Sequence, residues 1–191
     1  MGTWKFDPMH TQVEFSAKHL GMMTVRGHFN EVTAEGEIYP DQPERSKVEA
    51  TINTASIRTH NEIRDNDLRS SNFLEIAKYP TMTFKSTKVE HAGGERYKVT
   101  GDLTIKDTTK PVTFDLVKYG EFNDPRMGHR IGYAAQTRIN RKDFGMSFNA
   151  VLDGKFVVSD EIQINIEGEV VETADEPATE KQPQEAGRQT R

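Results

Sequence analysis

Tyr97-Lys98-Val99-Thr100-Gly101-Asp102-Leu103-Thr104-Ile105-Lys106 decides the fold. Its odd positions are apolar or small and its even positions are polar, the period of two that places successive side chains on opposite faces of a strand. The same rhythm runs through Val13, Phe15, Ala17, through Val48, Ala50, Ile52, and through Val112, Phe114, Leu116. It returns at Ile131, Tyr133, Ala135 and at Ile162, Ile164, Ile166. One packed face and one wet face is the signature of an antiparallel sheet. Asp41-Gln42-Pro43-Glu44, Ala92-Gly93-Gly94, Asn123-Asp124-Pro125 and Asp153-Gly154 supply turn chemistry between the runs. Roughly eight to nine strands at this spacing predict a sandwich or barrel. A sheet of that width with one apolar face has to fold onto itself, and closure removes its exposed edges.

One segment breaks the alternation. Thr59-His60-Asn61-Glu62 matches a capping box, with Thr59 as cap and Glu62 reaching back. Asp65 and Arg69 follow at i,i+4 spacing, and Ile63, Leu68 and Phe73 offer a narrow apolar side. These features predict a short helix over about 60–71, covering one mouth of the barrel. The barrel domain is expected over 1–172. Residues 173–191 contain no aliphatic side chain larger than alanine and no aromatic, and are expected to be a disordered tail.

Hydrophobic residues make up 34% of the 191-residue chain and charged ones 29%, so the core must come from alternating strands rather than solid apolar runs. A net charge of -5 argues against nucleic-acid binding, which needs concentrated Lys and Arg. The absence of cysteine excludes disulfides, thiol catalysis and cysteine-based zinc sites. No signal-peptide pattern is visible at the N-terminus, and no run reaches the ~20 apolar residues of a spanning helix, so a cytoplasmic location is expected.

Catalytic signatures are absent: no G-x-S-x-G elbow, no phosphate-binding loop, no H-E-x-x-H. The six histidines include no pair at i,i+2 or i,i+4, so hydrogen-bonded or exposed histidines are favoured over metal ligands. Asp65 and Asp67 read as solvated charges near a helix start.

Three inward rows end in polar groups. Val13, Phe15, Ala17 leads to His19; Val48, Ala50, Ile52 leads to Thr54 and Ser56; Met82, Phe84 leads to Ser86. Such rows suit a greasy cavity with a polar rim. Strand ends approaching solvent account for them more simply, and on the rows alone that reading is favoured. Phe15, Phe29, Phe84, Phe114 and Phe156 could also plug a small barrel, and periodicity does not separate a full barrel from a hollow one.

A resemblance adds to this. Trp4-Lys5-Phe6-Asp7-Pro8-Met9-His10-Thr11, Lys18-His19-Leu20, Val25-Arg26-Gly27, Ala55-Ser56-Ile57, Arg64-Asp65 and Leu68-Arg69-Ser70 occur in order. Tyr79-Pro80-Thr81, Phe84-Lys85-Ser86, Gly101-Asp102-Leu103-Thr104-Ile105, Thr109-Lys110-Pro111-Val112 and Asn140-Arg141-Lys142-Asp143-Phe144-Gly145 follow. Across about residues 3–171 the chain resembles the YceI-like family of lipid- or polyisoprenoid-binding domains. Phe73-Leu74-Glu75 stands where the family often has Phe-Phe-Asp, and the export leader of many members is not seen.

The resemblance implies an all-β fold: an extended lipocalin-like antiparallel β-barrel of about eight strands with one short inserted helix. It implies a long-chain isoprenoid or fatty lipid, quinone-like heads included, held lengthwise as the ligand, with no other cofactor. Val13, Phe15, Ala17, Phe29, Ile52, Phe84, Leu103, Phe114 and Tyr133 become lining candidates. His19, Ser56, Asn140 and Arg141 become candidates for the polar end, with Arg141 able to meet a phosphate or carbonyl oxygen. A structural ion pair of Arg141 with Asp143 or another acid is the plainer role. Arg64 and Asp65 are expected to anchor the helix. A carrier or store is expected, with transient membrane contact and a homodimer compatible with it. An enzyme using the same cavity, with His19 as its best acid or base, and a filled-barrel interaction protein are the alternatives.

Overall fold

The computed structural model describes residues 3–173, and of Lys155 and Phe156 the backbone only. The tail expected over 173–191 therefore lies, beyond Thr173, outside the described residues. In chain order the strands are β1 (Thr3–His19), β2 (Met23–Phe29), β3 (Val32–Glu37), β4 (Lys47–Asn53), β5 (Ile57–Arg58) and β6 (Thr81–His91). β7 (Arg96–Ile105), β8 (Thr108–Asp124), β9 (Gly128–Asn140), β10 (Val151–Leu152), β11 (Lys155–Phe156) and β12 (Glu161–Thr173) follow. One α-helix, α1 (Glu62–Arg69), stands between β5 and β6.

Ten strands form one antiparallel sheet in the order β3-β4-β6-β7-β8-β9-β12-β1-β2-β5, curled into a half-barrel, while β10 and β11 form a separate hairpin. The count exceeds the expected eight because the chain changes partner between β2 and β3 and a turn over Thr54–Ser56 separates the two-residue β5 from β4. β2 pairs with β1 and β3 with β4, so the chain changes partner across Asn30 and Glu31. The fully hydrogen-bonded closure expected from the sequence is replaced by this seam. There the Asn30 amide donates to Ser56 O (3.3 Å), the Glu31 amide to Ser56 Oγ (3.1 Å) and the Asn53 amide to Glu31 O (3.0 Å).

At the start of β1 the register against β12 shifts between Phe6 and Thr11. Asp7 organises this irregularity: it accepts from the Met9 amide (2.9 Å) and from Arg130 Nη1 (2.7 Å), contacts His10 Nδ1 (2.8 Å), and its carbonyl accepts from Thr11 Oγ1 (2.7 Å). The outward face carries cross-strand ion pairs, Lys85–Glu49 and Lys98–Asp115 among them, which marks it as water-facing.

The helix is shorter than 60–71 and is capped by Asn61, whose side chain accepts from the Arg64 amide at 3.0 Å. Thr59 is not the cap. His60 adopts a positive φ of 60°, which turns the chain and separates Thr59 from the first helical turn. Thr59 instead gives its amide (2.9 Å) and hydroxyl (2.5 Å) to Asp65, and Arg64 reaches Thr59 Oγ1 and O, both at 2.7 Å. Arg64 and Asp65 thus do anchor the helix. Asp65 is 1% exposed, so it is not a solvated charge, and its two bonds offset its desolvation. Arg69 does not pair with Asp65 but donates to Ile57 O (2.9 Å) and Ala55 O (3.2 Å). Ile63 points outward, 85% exposed, and leaves Leu68 as the inward contact of α1.

Two glycines admit aromatic rings. A Cβ on Gly101 would stand 2.5 Å from both the Phe84 ring and Lys85 O, and one on Gly27 would collide with the Phe15 ring. The rings of Phe84 and Phe15 therefore lie across bare backbone on neighbouring strands. Gly101→Ala is expected to lower stability by about 1–3 kcal/mol in urea unfolding, because both neighbours must shift. Gly120→Ala, which meets nothing within 4 Å, is expected to stay within about 0.5 kcal/mol of the parent.

Candidate functional site

The curled sheet encloses a cavity of about 350 Å³ whose walls are almost wholly apolar. Along β7 it extends from Tyr97 to Ile105, a span of about 27 Å at ~3.4 Å per residue. Val13, Phe15, Ala17, Phe29, Ile52, Phe84, Leu103, Phe114 and Tyr133 all line it. Inward alternation on separate strands has brought these residues to one surface.

The cavity has two unlike ends. At the helix end Leu68 and Leu74 meet Ile57, Met82, Ile105 and Met146 in a tight cluster, and Phe73 also lines the cavity. At the opposite, tyrosine end stand Tyr97, Lys118 and Tyr133, with Tyr39, Pro40 and Pro43 from the β3–β4 connection. Trp4, Ile131 and Val170 form a second small core beside Tyr133.

Between the ends the interior is hollow. Phe15, Phe29, Ile52, Phe84, Ile162 and Ile164 point inward, yet are only partly buried. Phe84 and Phe114 meet edge to face at 5.2 Å, and Phe15 and Phe29 tilt together at 5.6 Å. These pairs line the wall without filling the space. The side chain of Phe156 lies outside the described residues.

None of the four candidates for a polar end serves as an open polar group in the cavity. His19 is exposed at the end of β1, where it bridges Val158. Ser56 is buried in the seam, donating to Asn53 O at 2.7 Å and accepting from Glu31. Asn140 is exposed, and its side chain accepts from the Lys142 amide at 3.0 Å.

Arg141 touches the cavity, but its guanidinium is committed. It donates to Ser159 O (3.0 Å), Met146 O (2.6 Å), Phe148 O (2.7 Å) and Asp160 Oδ1 (3.2 Å), and lies 5.8 Å from the centre of the Phe73 ring. Burial pushes its pKa down and Asp160 opposes that shift. The structural ion pair is therefore its role, with Asp160 rather than Asp143 as partner, because Asp143 faces Lys110 at 3.8 Å. Arg141 gathers the carbonyls of the 146–159 segment into the base of the barrel.

The polar groups that do face the cavity carry no distinct sequence signal, because they lie within alternating rows rather than at row ends. Alternation marks Tyr97 as one member of an inward row and the family resemblance marks Tyr133 as lining, and neither singles out a hydroxyl. Among the described residues neither hydroxyl has a hydrogen-bond partner. Burial, the larger cause, together with the nearby Tyr97, Glu121 and Glu95, pushes the Tyr133 phenol up to about 12, so it remains a neutral donor. Lys118 Nζ is held by Glu121 Oε2 at 2.7 Å.

Glu121 also accepts from His129 Nε2 (2.5 Å), and Glu172 holds His129 Nδ1 (2.8 Å), with the Trp4 ring edge-on at 4.8 Å. Glu172 and Glu121 raise the His129 pKa, while Lys118 and His129 lower that of Glu121. Asp7, His10 and Glu169 also approach one another, but Arg130 occupies the space between the carboxylates, at 2.7 Å from Asp7 and 2.9 Å from Glu169. A cation there would have to displace a guanidinium.

The YceI-like domain model matches residues 4–170. A UPF0312 protein of Pseudomonas paraeruginosa is 40% identical over 140 residues, 73% of this chain and 73% of the relative. The Campylobacter jejuni YCEI protein superposes with a TM-score of 0.71 at 34% identity, covering 82% of this chain and 90% of that one. A polyisoprenoid binding domain from Saccharophagus degradans shares the fold at 13% identity, with a TM-score of 0.62 over 91% of this chain and 100% of that one.

Two outcomes follow from the polar contacts. Arg141→Met should cost about 3 kcal/mol in unfolding, because a buried charge and its acceptors lose each other, yet leave the cavity's occupancy per folded molecule unchanged by mass spectrometry. The raised pKa of His129 contributes stability that is fully present below its unfolded value of about 6.5 and is lost as pH rises through the folded value. The depressed pKa values of Glu121 and Asp7 contribute stability above their unfolded values that is lost on acidification. Thermal midpoints should therefore fall on both sides of a plateau near pH 5–6, and His129→Gln should remove the loss on the alkaline side.

Proposed function

This chain belongs to the YceI-like family, and from that premise and its hollow apolar interior we propose that it holds a long-chain isoprenoid or related lipid lengthwise in the cavity, as a carrier or store. The single observation that carries this is the cavity: inward apolar side chains from all ten strands of the sheet face one elongated void. The polyisoprenoid binding by name of the Saccharophagus degradans domain supports the same class of guest. A filled-barrel interaction protein is disfavoured by the void itself. An enzyme is disfavoured because His19, its best candidate acid or base, stands outside the cavity.

Magnitudes agree with an occupied interior. At about 24 cal/mol per Å³, leaving 350 Å³ unfilled forfeits about 8 kcal/mol of packing. That lies within the ~5–15 kcal/mol of a whole domain's stability. Each buried CH₂ of a guest contributes about 0.8 kcal/mol relative to water. A bilayer offers the guest nearly the same gain, so net preference is small and exchange with membranes is feasible, as a carrier requires. Loading through transient contact with a membrane surface, in the cytoplasm, belongs to this proposal. No helix among the described residues is long and apolar enough to cross a membrane.

Native mass spectrometry of the purified protein, followed by organic extraction, should find a prenyl or fatty lipid at about one per chain. Extraction should lower the thermal midpoint by several degrees, since a guest bound only to the folded state stabilises it. Ala135→Trp, which projects an indole into the void, should abolish the co-purifying lipid while retaining the strand circular-dichroism signal. An empty parent protein that also takes up no added prenyl lipid would overturn the proposal.

A further inference from the structure

Tyr97, Lys118 and Tyr133 stand side by side on β7, β8 and β9. Lys118 is paired directly with Tyr133 in the ladder, and Tyr97 is paired with Leu116, two residues from Lys118 on the same face. All three line the tyrosine end of the cavity. The two cations that reach the cavity walls are both committed, Lys118 to Glu121 and Arg141 to Asp160 and three carbonyls. Among the described residues the donors left over at this end are neutral hydroxyls: those of Tyr97 and Tyr133, and that of Ser46, which accepts from the Tyr39 amide at 2.9 Å and donates to no protein group. Glu95 and Glu121 lie close enough to oppose ionisation of Tyr133, and the cations nearby are already engaged: Lys118 and His129 with Glu121, and Arg45 stacked over the Tyr39 ring at 4.5 Å with a hydrogen bond to Gln42.

We propose that this tyrosine end is a head-group subsite for a neutral hydrogen-bond acceptor of the carbonyl class, a ketone, quinone, ester or amide, and that it discriminates against phosphate and diphosphate heads. The proposal rests on the lipid-binding function above and adds the chemistry of the polar end. A carbonyl accepts from one or both phenols and brings no charge beside Glu121. A diphosphate needs fixed cations or several amide donors. Here it meets two carboxylates and a lysine that must first leave its partner. Tyr133 suits the task because its hydroxyl stays protonated throughout the physiological range and has no protein acceptor to give up.

Three probes with C20 branched chains separate head from tail: geranylgeranial, which carries a neutral carbonyl, geranylgeranyl diphosphate, and phytane, which has no head. Each is delivered from methyl-β-cyclodextrin to the delipidated full chain, and affinity is read by displacement of Nile red. Geranylgeranial is expected to bind at least about ten-fold tighter than the diphosphate. In Tyr133→Phe the ratio of geranylgeranial to phytane affinity should fall about three- to ten-fold, the worth of one neutral hydrogen bond. In Tyr97→Phe/Tyr133→Phe the advantage of the carbonyl over phytane should vanish. Diphosphate binding as tight as that of the aldehyde, and weakened by Lys118→Met, would overturn the head-group assignment. So would an aldehyde-to-phytane ratio unchanged in the double variant. If phytane binds while the heads make no difference, the subsite alone falls. If none of the probes binds, the cavity's function falls with it.

Discussion

Every long strand of this sheet presents an apolar row on one face, and that face has to be turned away from water. Ten strands carry the constraint, and curling is the response available to an antiparallel sheet with no second layer to pack against. The circumference so enclosed is wider than inward side chains of the size of Ile, Leu and Phe can fill. A hollow interior is thus a geometric result of strand number, and its apolarity a result of alternation. The seam at Asn30–Glu31, where the chain leaves β1 for β4, lets the sheet curl without a regular ladder. Ser56 and Asn53 satisfy the backbone groups that the change of partner would otherwise orphan.

Polar chemistry is divided between the two ends. At the helix end buried charges hold the fold together. Asp65 secures α1 through Thr59, and Arg141 secures the 146–159 segment through three carbonyls and Asp160. Each is nearly solvent-free and has its hydrogen bonds made, the condition for a buried charge to be tolerated. At the tyrosine end the ion pairs sit on the strand surfaces, and the Tyr97 and Tyr133 hydroxyls are left without a partner among the described residues. A site for a guest needs donors that the protein has not already used, and that requirement is what places the proposed head-group subsite at the tyrosine end.

The fold and the cavity wall were legible because period-two alternation is local. Tyr97 to Ile105, Val13 to Ala17 and Ile131 to Ala135 each announce which side chains share a face, and membership in a family with ordered motifs settled how the strands assemble. The polar end was not legible, because it depends on which hydroxyls, guanidinium groups and amides find partners across strands far apart in sequence. Arg141 sits in a conspicuous motif, but its partners are carbonyls, which carry no sequence signal. The capping box at Thr59 matched in pattern and failed in space, because one positive φ at His60 handed the cap to Asn61.

By itself, then, the sequence determined an all-β chain with one interrupting helix, an apolar interior face and the residues along it, since these follow from side-chain periodicity along single strands. Only the tertiary structure decided that the inward side chains leave a cavity between them, that the sheet closes through a kinked seam, and that the Tyr97 and Tyr133 hydroxyls face that cavity with no partner among the described residues. Those outcomes depend on the enclosed circumference and on long-range hydrogen-bond partners, and no local pattern encodes either.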